Sequence, residues 1–60
     1  MLKIGDRVKY VGTYWIELKY HPGTVKSLIS TSFDEEDLVD VLYDGEDNTR
    51  RTYVKSLEKL

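Results

Sequence analysis

The sequence predicts an all-β domain, a small barrel of four or five short strands, and three observations carry that expectation. Apolar and polar residues alternate with a period of two in several short runs, turn signals containing Gly or Pro separate those runs, and no 3.6-residue apolar period lasts long enough for a helix bundle. One domain of 60 residues buries only about 60% of the surface its unfolded chain exposes. The core is therefore expected to be thin and closely packed from Val, Leu, Ile and Tyr, since the chain has no cysteine to cross-link it.

In chain order, Gly5-Asp6 is a turn signal, and Arg7-Val8-Lys9-Tyr10-Val11 alternates as a half-buried strand does, with Val8 and Tyr10 on one face. Residues 12–22 place Tyr14, Trp15 and Tyr20 between Gly12 and His21-Pro22, which marks a long loop or irregular hairpin. Within it, Trp15-Ile16-Glu17-Leu18-Lys19-Tyr20 alternates weakly and is compatible with a short strand. Residues 23–30 form the second clear strand, rich in β-branched side chains, with Val25 and Ile29 expected to point inward. Residues 31–37 are polar and then acidic, with Phe33 their only large apolar side chain. A Ser/Asp start followed by acids also has the form of a helix N-terminus, so one helical turn fits there.

The run Val39-Asp40-Val41-Leu42-Tyr43-Asp44-Gly45 organises the rest, because an apolar strand pattern leads straight into an Asp-Gly turn. Period two sets Val39, Val41 and Tyr43 on one face and Leu38, Asp40 and Leu42 on the other. Asp40 makes the second face wet at its centre, so the valines belong to the core. A turn over 44–48 and a fourth strand, Arg50-Arg51-Thr52-Tyr53-Val54, follow. Residues 55–60 are too few for a stable helix and predict a single 3₁₀ turn and a last short strand, with Leu57 plugging one end of the core.

A formal net charge of −2, with 33% of residues charged, describes an ordinary soluble surface, whereas nucleic-acid modules usually carry a basic excess. No apolar run approaches the roughly 18 residues of a membrane helix, and missing cysteines fit a reducing compartment. A soluble, cytoplasmic protein without membrane association is expected. His21 is the only histidine, and no serine sits in a Gly-x-Ser-x-Gly turn. Consecutive acids such as Asp34-Glu35-Glu36-Asp37 are expected to point apart on an exposed loop, and the 44–48 turn lacks the alternating oxygen ligands of an EF-hand. The expectation is no enzyme, no catalytic residue, no metal and no cofactor.

Gly5-Asp6-Arg7-Val8, Pro22-Gly23-Thr24-Val25, Val41-Leu42-Tyr43-Asp44-Gly45, Asn48, Val54 and Leu57 occur in an order and at distances that together resemble Tudor-type domains of the SH3-like barrel class. The resemblance covers nearly the whole chain. It implies a barrel of about five strongly bent antiparallel strands that binds peptides, often through an aromatic cage for methylated arginine or lysine. Tyr43 matches a cage aromatic and Asn48 a polar cage residue, while Gly12, His21 and Glu46 stand at other cage positions.

A protein or peptide partner is thus expected, bound through Tyr14, Trp15, Tyr20, Tyr43 and Asn48, because Tyr and Trp supply large, stiff contact area with a polar handle. Small barrels also need aromatics to cap the core, and Tyr10 and Trp15 are expected to be mainly structural. KOW-type modules of the same barrel class imply an alternative, RNA or DNA binding, in which Lys9, Lys26, Arg50 and Arg51 meet phosphates beside stacked bases. Tyr14-Trp15 followed by Gly23-Thr24-Val25 is also similar to small SH3-like subunits of photosynthetic electron-transfer complexes, which brace larger partners and help to dock ferredoxin. A monomer, or weak self-association through an exposed strand edge, is expected.

Overall fold

A computed structural model describes residues 2–29 and 38–60 of the chain. Five antiparallel strands, β1 (Arg7–Tyr10), β2 (Pro22–Leu28), β3 (Leu38–Tyr43), β4 (Arg50–Tyr53) and β5 (Leu57–Lys59), form one sheet in the order β4-β3-β2-β1-β5. Two 3₁₀ turns, Ile16–Leu18 and Val54–Ser56, interrupt it, and there is no α-helix among the described residues. The expected all-β architecture, with a 3₁₀ turn before the last short strand, is the one adopted, and it is consistent with a small SH3-like barrel. Phe33, the acids at 34–37 and the candidate helical turn lie outside the described residues.

The period-two reading of β1 and β3 holds. Val8, Tyr10, Val39, Val41 and Tyr43 are all buried and, with Val25 and Leu18, make the core; Leu2, Trp15, Val54 and Leu57 pack against it. Each fully buried side chain of this kind contributes about 1.5–3 kcal/mol, so a handful of residues holds the domain together. Leu57 packs against that core as expected, while Leu38, Asp40 and Leu42 on the opposite face of β3 remain partly exposed.

Two local expectations are corrected. Ile29 does not point inward: it is 41% exposed. The register of β2 on β3 shifts between Val25 and Ser27, so that Val25 faces Val41 but Ser27 faces Asp40 and Leu28 faces Val39. Lys26 is the extra residue, and a bulge of this kind moves every later side chain by one position. Ile29 therefore falls on the outer face, where its N–H donates to the Leu38 carbonyl. The segment from Trp15 to Tyr20 is not a strand either. Its N–H groups turn back on themselves, Leu18 to the Trp15 carbonyl at 3.0 Å and Lys19 to the Ile16 carbonyl at 3.2 Å, closing a 3₁₀ turn that drops Leu18 into the core.

The Asp-Gly turn after β3 forms as the sequence requires. The Glu46 N–H donates to the Tyr43 carbonyl at 3.0 Å, and Gly45 sits at φ +90°, a conformation that glycine enters without steric cost. Arg7 clamps the turn from β1, its two terminal nitrogens meeting the Asp44 carboxylate at 2.7 and 3.0 Å. His21 is a turn residue, with Nε2 2.7 Å from the Asp44 carbonyl oxygen.

Candidate functional site

The candidate site grows out of the core as a file of aromatic rings. Tyr43, wholly buried, meets the edge of Tyr10 at 6.4 Å between centroids; Tyr10 tilts against Trp15 at 5.4 Å; and Trp15 meets Tyr14 edge to face at 5.7 Å. Tyr14 ends the file in solvent, 84% exposed. Offset and edge-on contacts of this kind contribute about 0.5–1.5 kcal/mol per pair beyond area burial, so the surface rings inherit rigidity from the core.

The Tyr10 hydroxyl fixes the turn that carries the two outer rings. It accepts the N–H groups of Tyr14 at 3.1 Å and Trp15 at 3.3 Å. Gly12 makes room for it, since a Cβ there would lie 2.6 Å from that oxygen and 3.0 Å from Ser56 Cβ. Gly12 is thus needed to seat the Tyr10 phenol.

Tyr10, Tyr14 and Trp15 form one side of a groove of about 290 Å³, and Arg51, Thr52, Tyr53 and Ser56 form the other. The second side belongs to β4 and the 3₁₀ turn that follows. Thr52 faces the core while Arg51 and Tyr53 face outward, and all three line the groove, so it runs along the edge of β4. That strand is the last in the sheet, and among the described residues its backbone pairs only with β3. Among the described residues nothing pairs with the other side of its main chain.

Charges frame the rings in a definite way. The Arg50 guanidinium lies 5.2 Å from the Trp15 ring centroid, and Lys55 Nζ lies 5.6 Å from that of Tyr53. Arg50 is held by a bidentate pair to Glu46 at 2.9 and 2.8 Å and by Glu17 at 3.5 Å. Its hydrogen bonds to Glu46 raise the Arg50 pKa and lower that of the Glu46 carboxyl; Arg7 likewise lowers that of Asp44. Arg51 makes a looser contact, Nε to Asp40 at 3.6 Å, on an exposed part of the surface.

The residues singled out in the sequence divide. Tyr14 and Trp15 stand together in the groove, and Trp15 is both structural and partly exposed, being half-buried against the core. Tyr43 is corrected: it is no surface residue but part of the core, where period two with Val39 and Val41 already placed it. Its hydroxyl shares a hydrogen bond with Thr52 Oγ1 at 3.0 Å, and Thr52 Oγ1 also lies 3.3 Å from the Arg50 carbonyl oxygen. Burial, offset in part by that hydrogen bond, raises the Tyr43 pKa.

Tyr20 and Asn48 lie off the groove. Tyr20 is 62% exposed with φ +62°, a left-handed conformation rare for a bulky residue, and its ring sits between Lys9 and Lys19 at 5.7 and 5.5 Å. Its N–H donates to the Tyr10 carbonyl at 2.7 Å, which locks the loop to the end of β1. Asn48 lines a separate polar depression with residues 45–47, Thr49 and Arg50.

The cations considered for nucleic acid do not make one free stripe. Lys9 pairs with Glu58 at 3.3 Å, Arg50 with Glu46 and Glu17, and Arg51 with Asp40, while Lys26 sits at the bulge of β2. Sequence reasoning missed Tyr53, 47% exposed, and Ser56. The signal for Tyr53 was present, since it shares its strand face with Arg51 and alternates with the buried Thr52. No family model, curated protein or solved structure matches the chain.

Proposed function

We propose that this domain is a non-catalytic binding module, Tudor-resembling and SH3-like, that holds an extended peptide segment of a protein partner in the groove beside β4, in the cytoplasm. The observation that carries this reading is the meeting of exposed rings with an unpaired strand edge. Main-chain hydrogen bonds to an edge give affinity to an extended peptide, and side-chain pockets give it selectivity. Tyr14, Trp15 and Tyr53 supply those pockets. The rings reach their positions without the peptide, so little ordering has to accompany binding. Docking within a larger assembly is one form of the same activity.

Nucleic acid is less well supported. Bases stack on exposed rings, but a strand edge offers them nothing, and Lys9 and Arg50 are engaged with carboxylates.

Selection of a random peptide library on the domain, with counter-selection on the Tyr14→Ala/Tyr53→Ala variant, tests the proposal. Enriched peptides are expected to shift the amide resonances of Tyr14, Trp15, residues 51–53 and Ser56. Shifts confined to Tyr20 or to residues 45–49 would overturn the assignment of the groove.

A further inference from the structure

We infer that the groove selects acidic segments, in which an aromatic or aliphatic anchor is flanked by Asp or Glu; this rests on the peptide-binding reading above. Two of the ring faces that a cationic side chain would seek are taken. Arg50 lies over Trp15 and Lys55 over Tyr53, so the attraction of the ring quadrupoles for a cation is already satisfied within the chain. A lysine or arginine of a ligand, methylated or not, would meet like charge at both rings.

Among the described residues, the charge that lines the groove has one sign. Of the seven residues that line it, Arg51 alone is charged, and none is a carboxylate. Lys55, on the 3₁₀ turn between Tyr53 and Ser56, adds a second cation at the rim. Arg50 is fully answered by Glu46 and Glu17 and serves to brace Trp15. Arg51 differs: its nearest approach to Asp40 is 3.6 Å and its side chain is 62% exposed, so its guanidinium fork is accessible to a ligand. Arg51 faces outward from β4, whose edge a paired segment would follow, so a ligand carboxylate beside the anchor comes within reach of it. Placing like charges together rejects the wrong partner as firmly as opposite charges favour the right one.

The test uses three short synthetic peptides that share a Phe-x-Leu anchor and differ only in flanking residues, Asp/Glu, Asn/Gln or Lys/Arg. Each is titrated into the whole domain by fluorescence anisotropy and amide shifts. Ionic strengths of about 0.15 M and about 1 M are compared, between which the Debye length falls from about 8 to about 3 Å.

The acidic peptide is expected to bind at least about tenfold more tightly than the neutral one at the lower salt, with the margin shrinking at the higher. The basic peptide should not saturate. Arg51→Glu/Lys55→Glu should invert the order of acidic and basic peptides while the amide spectrum stays folded. Equal binding of all three, still abolished by Trp15→Ala in a folded variant, would overturn the acidic preference and leave the groove standing. Absence of shifts at Tyr14, Trp15 and residues 51–53 with every peptide would overturn both. So would tighter binding of oligo(dT) than of any peptide to the same residues, in favour of single-stranded nucleic acid.

Discussion

Tyr43 and Tyr14 stand at opposite ends of one file of rings, and the same residue type does opposite work at each end. Tyr43 is fully buried and shares a hydrogen bond with Thr52; Tyr14 is 84% exposed, and its hydroxyl has no hydrogen-bond partner among the described residues. Between them Tyr10 and Trp15 pass from core to surface at ring separations of 5.4 to 6.4 Å. What separates the two tyrosines is backbone context. Period two on β3 commits Tyr43 to the interior, whereas the turn pinned by the Tyr10 hydroxyl commits Tyr14 to solvent. The groove is an outgrowth of the core, so damage inside should spread outward and damage outside should not spread inward.

The interior end is the place to look for the largest effect. Val41→Asp puts an unpaired carboxylate where the wild-type side chain has no exposure at all and no polar partner. An uncompensated buried charge costs several kcal/mol, against a total stability of roughly 3–9 kcal/mol for a chain of this size. Circular dichroism and amide dispersion should show an unfolded protein at neutral pH. A folded Val41→Asp would mean that β3 does not organise the core.

The link between the ends is tested by Gly12→Ala. Its methyl group would collide with the Tyr10 ring and hydroxyl at 2.6–2.7 Å. Overpacking of this kind costs about 1–3 kcal/mol, and the displaced hydroxyl no longer holds the N–H groups of Tyr14 and Trp15. Lower thermal stability and weaker peptide binding should therefore appear together. Loss of stability with binding intact would sever the proposed connection between core and groove.

The outer end should break differently. Tyr14→Ala removes an exposed ring and is expected to shift stability by no more than about 0.5 kcal/mol, while weakening peptide binding by about 1–2 kcal/mol, roughly five- to thirtyfold. If this variant unfolds, the ring belongs to the core and the division drawn between the two tyrosines is false.

Much of the fold was legible because strands write their two faces into alternate residues. Val8 with Tyr10, and Val39 with Val41 and Tyr43, could be placed on the core face from spacing alone. Ile29 was misplaced because a bulge at Lys26 shifts the period by one residue, and nothing in a run of β-branched residues announces a bulge. The site was less legible. Tyr43 was drawn to the surface by a family pattern although its own period held it inside. Tyr20 and Asn48 went elsewhere because loop residues obey backbone closure, here a left-handed Tyr20 tied to the Tyr10 carbonyl. Trp15 and Tyr53 line one groove although a loop and a strand far apart in sequence carry them.

The smallest effect sharpens the comparison most. Tyr43 has a pKa raised above its ordinary 10.0, chiefly because burial disfavours the phenolate. The folded state then keeps this proton at pH values where the unfolded chain has lost it. Its contribution to stability is fully present below pH 10.0 and is lost as pH rises from there through the raised folded value. Other groups titrate in the same range, so the informative quantity is the difference between wild type and Tyr43→Phe. At neutral pH the variant should lose about 0.5–1.5 kcal/mol with the hydrogen bond to Thr52, since Thr52 keeps its bond to the Arg50 carbonyl. As pH rises above 10.0 the wild type should lose stability faster, and the gap between the two proteins should close. Denaturant melts across the alkaline range measure it. A gap that stays constant would show that the Tyr43 ring meets water, and the contrast with Tyr14 would vanish with it.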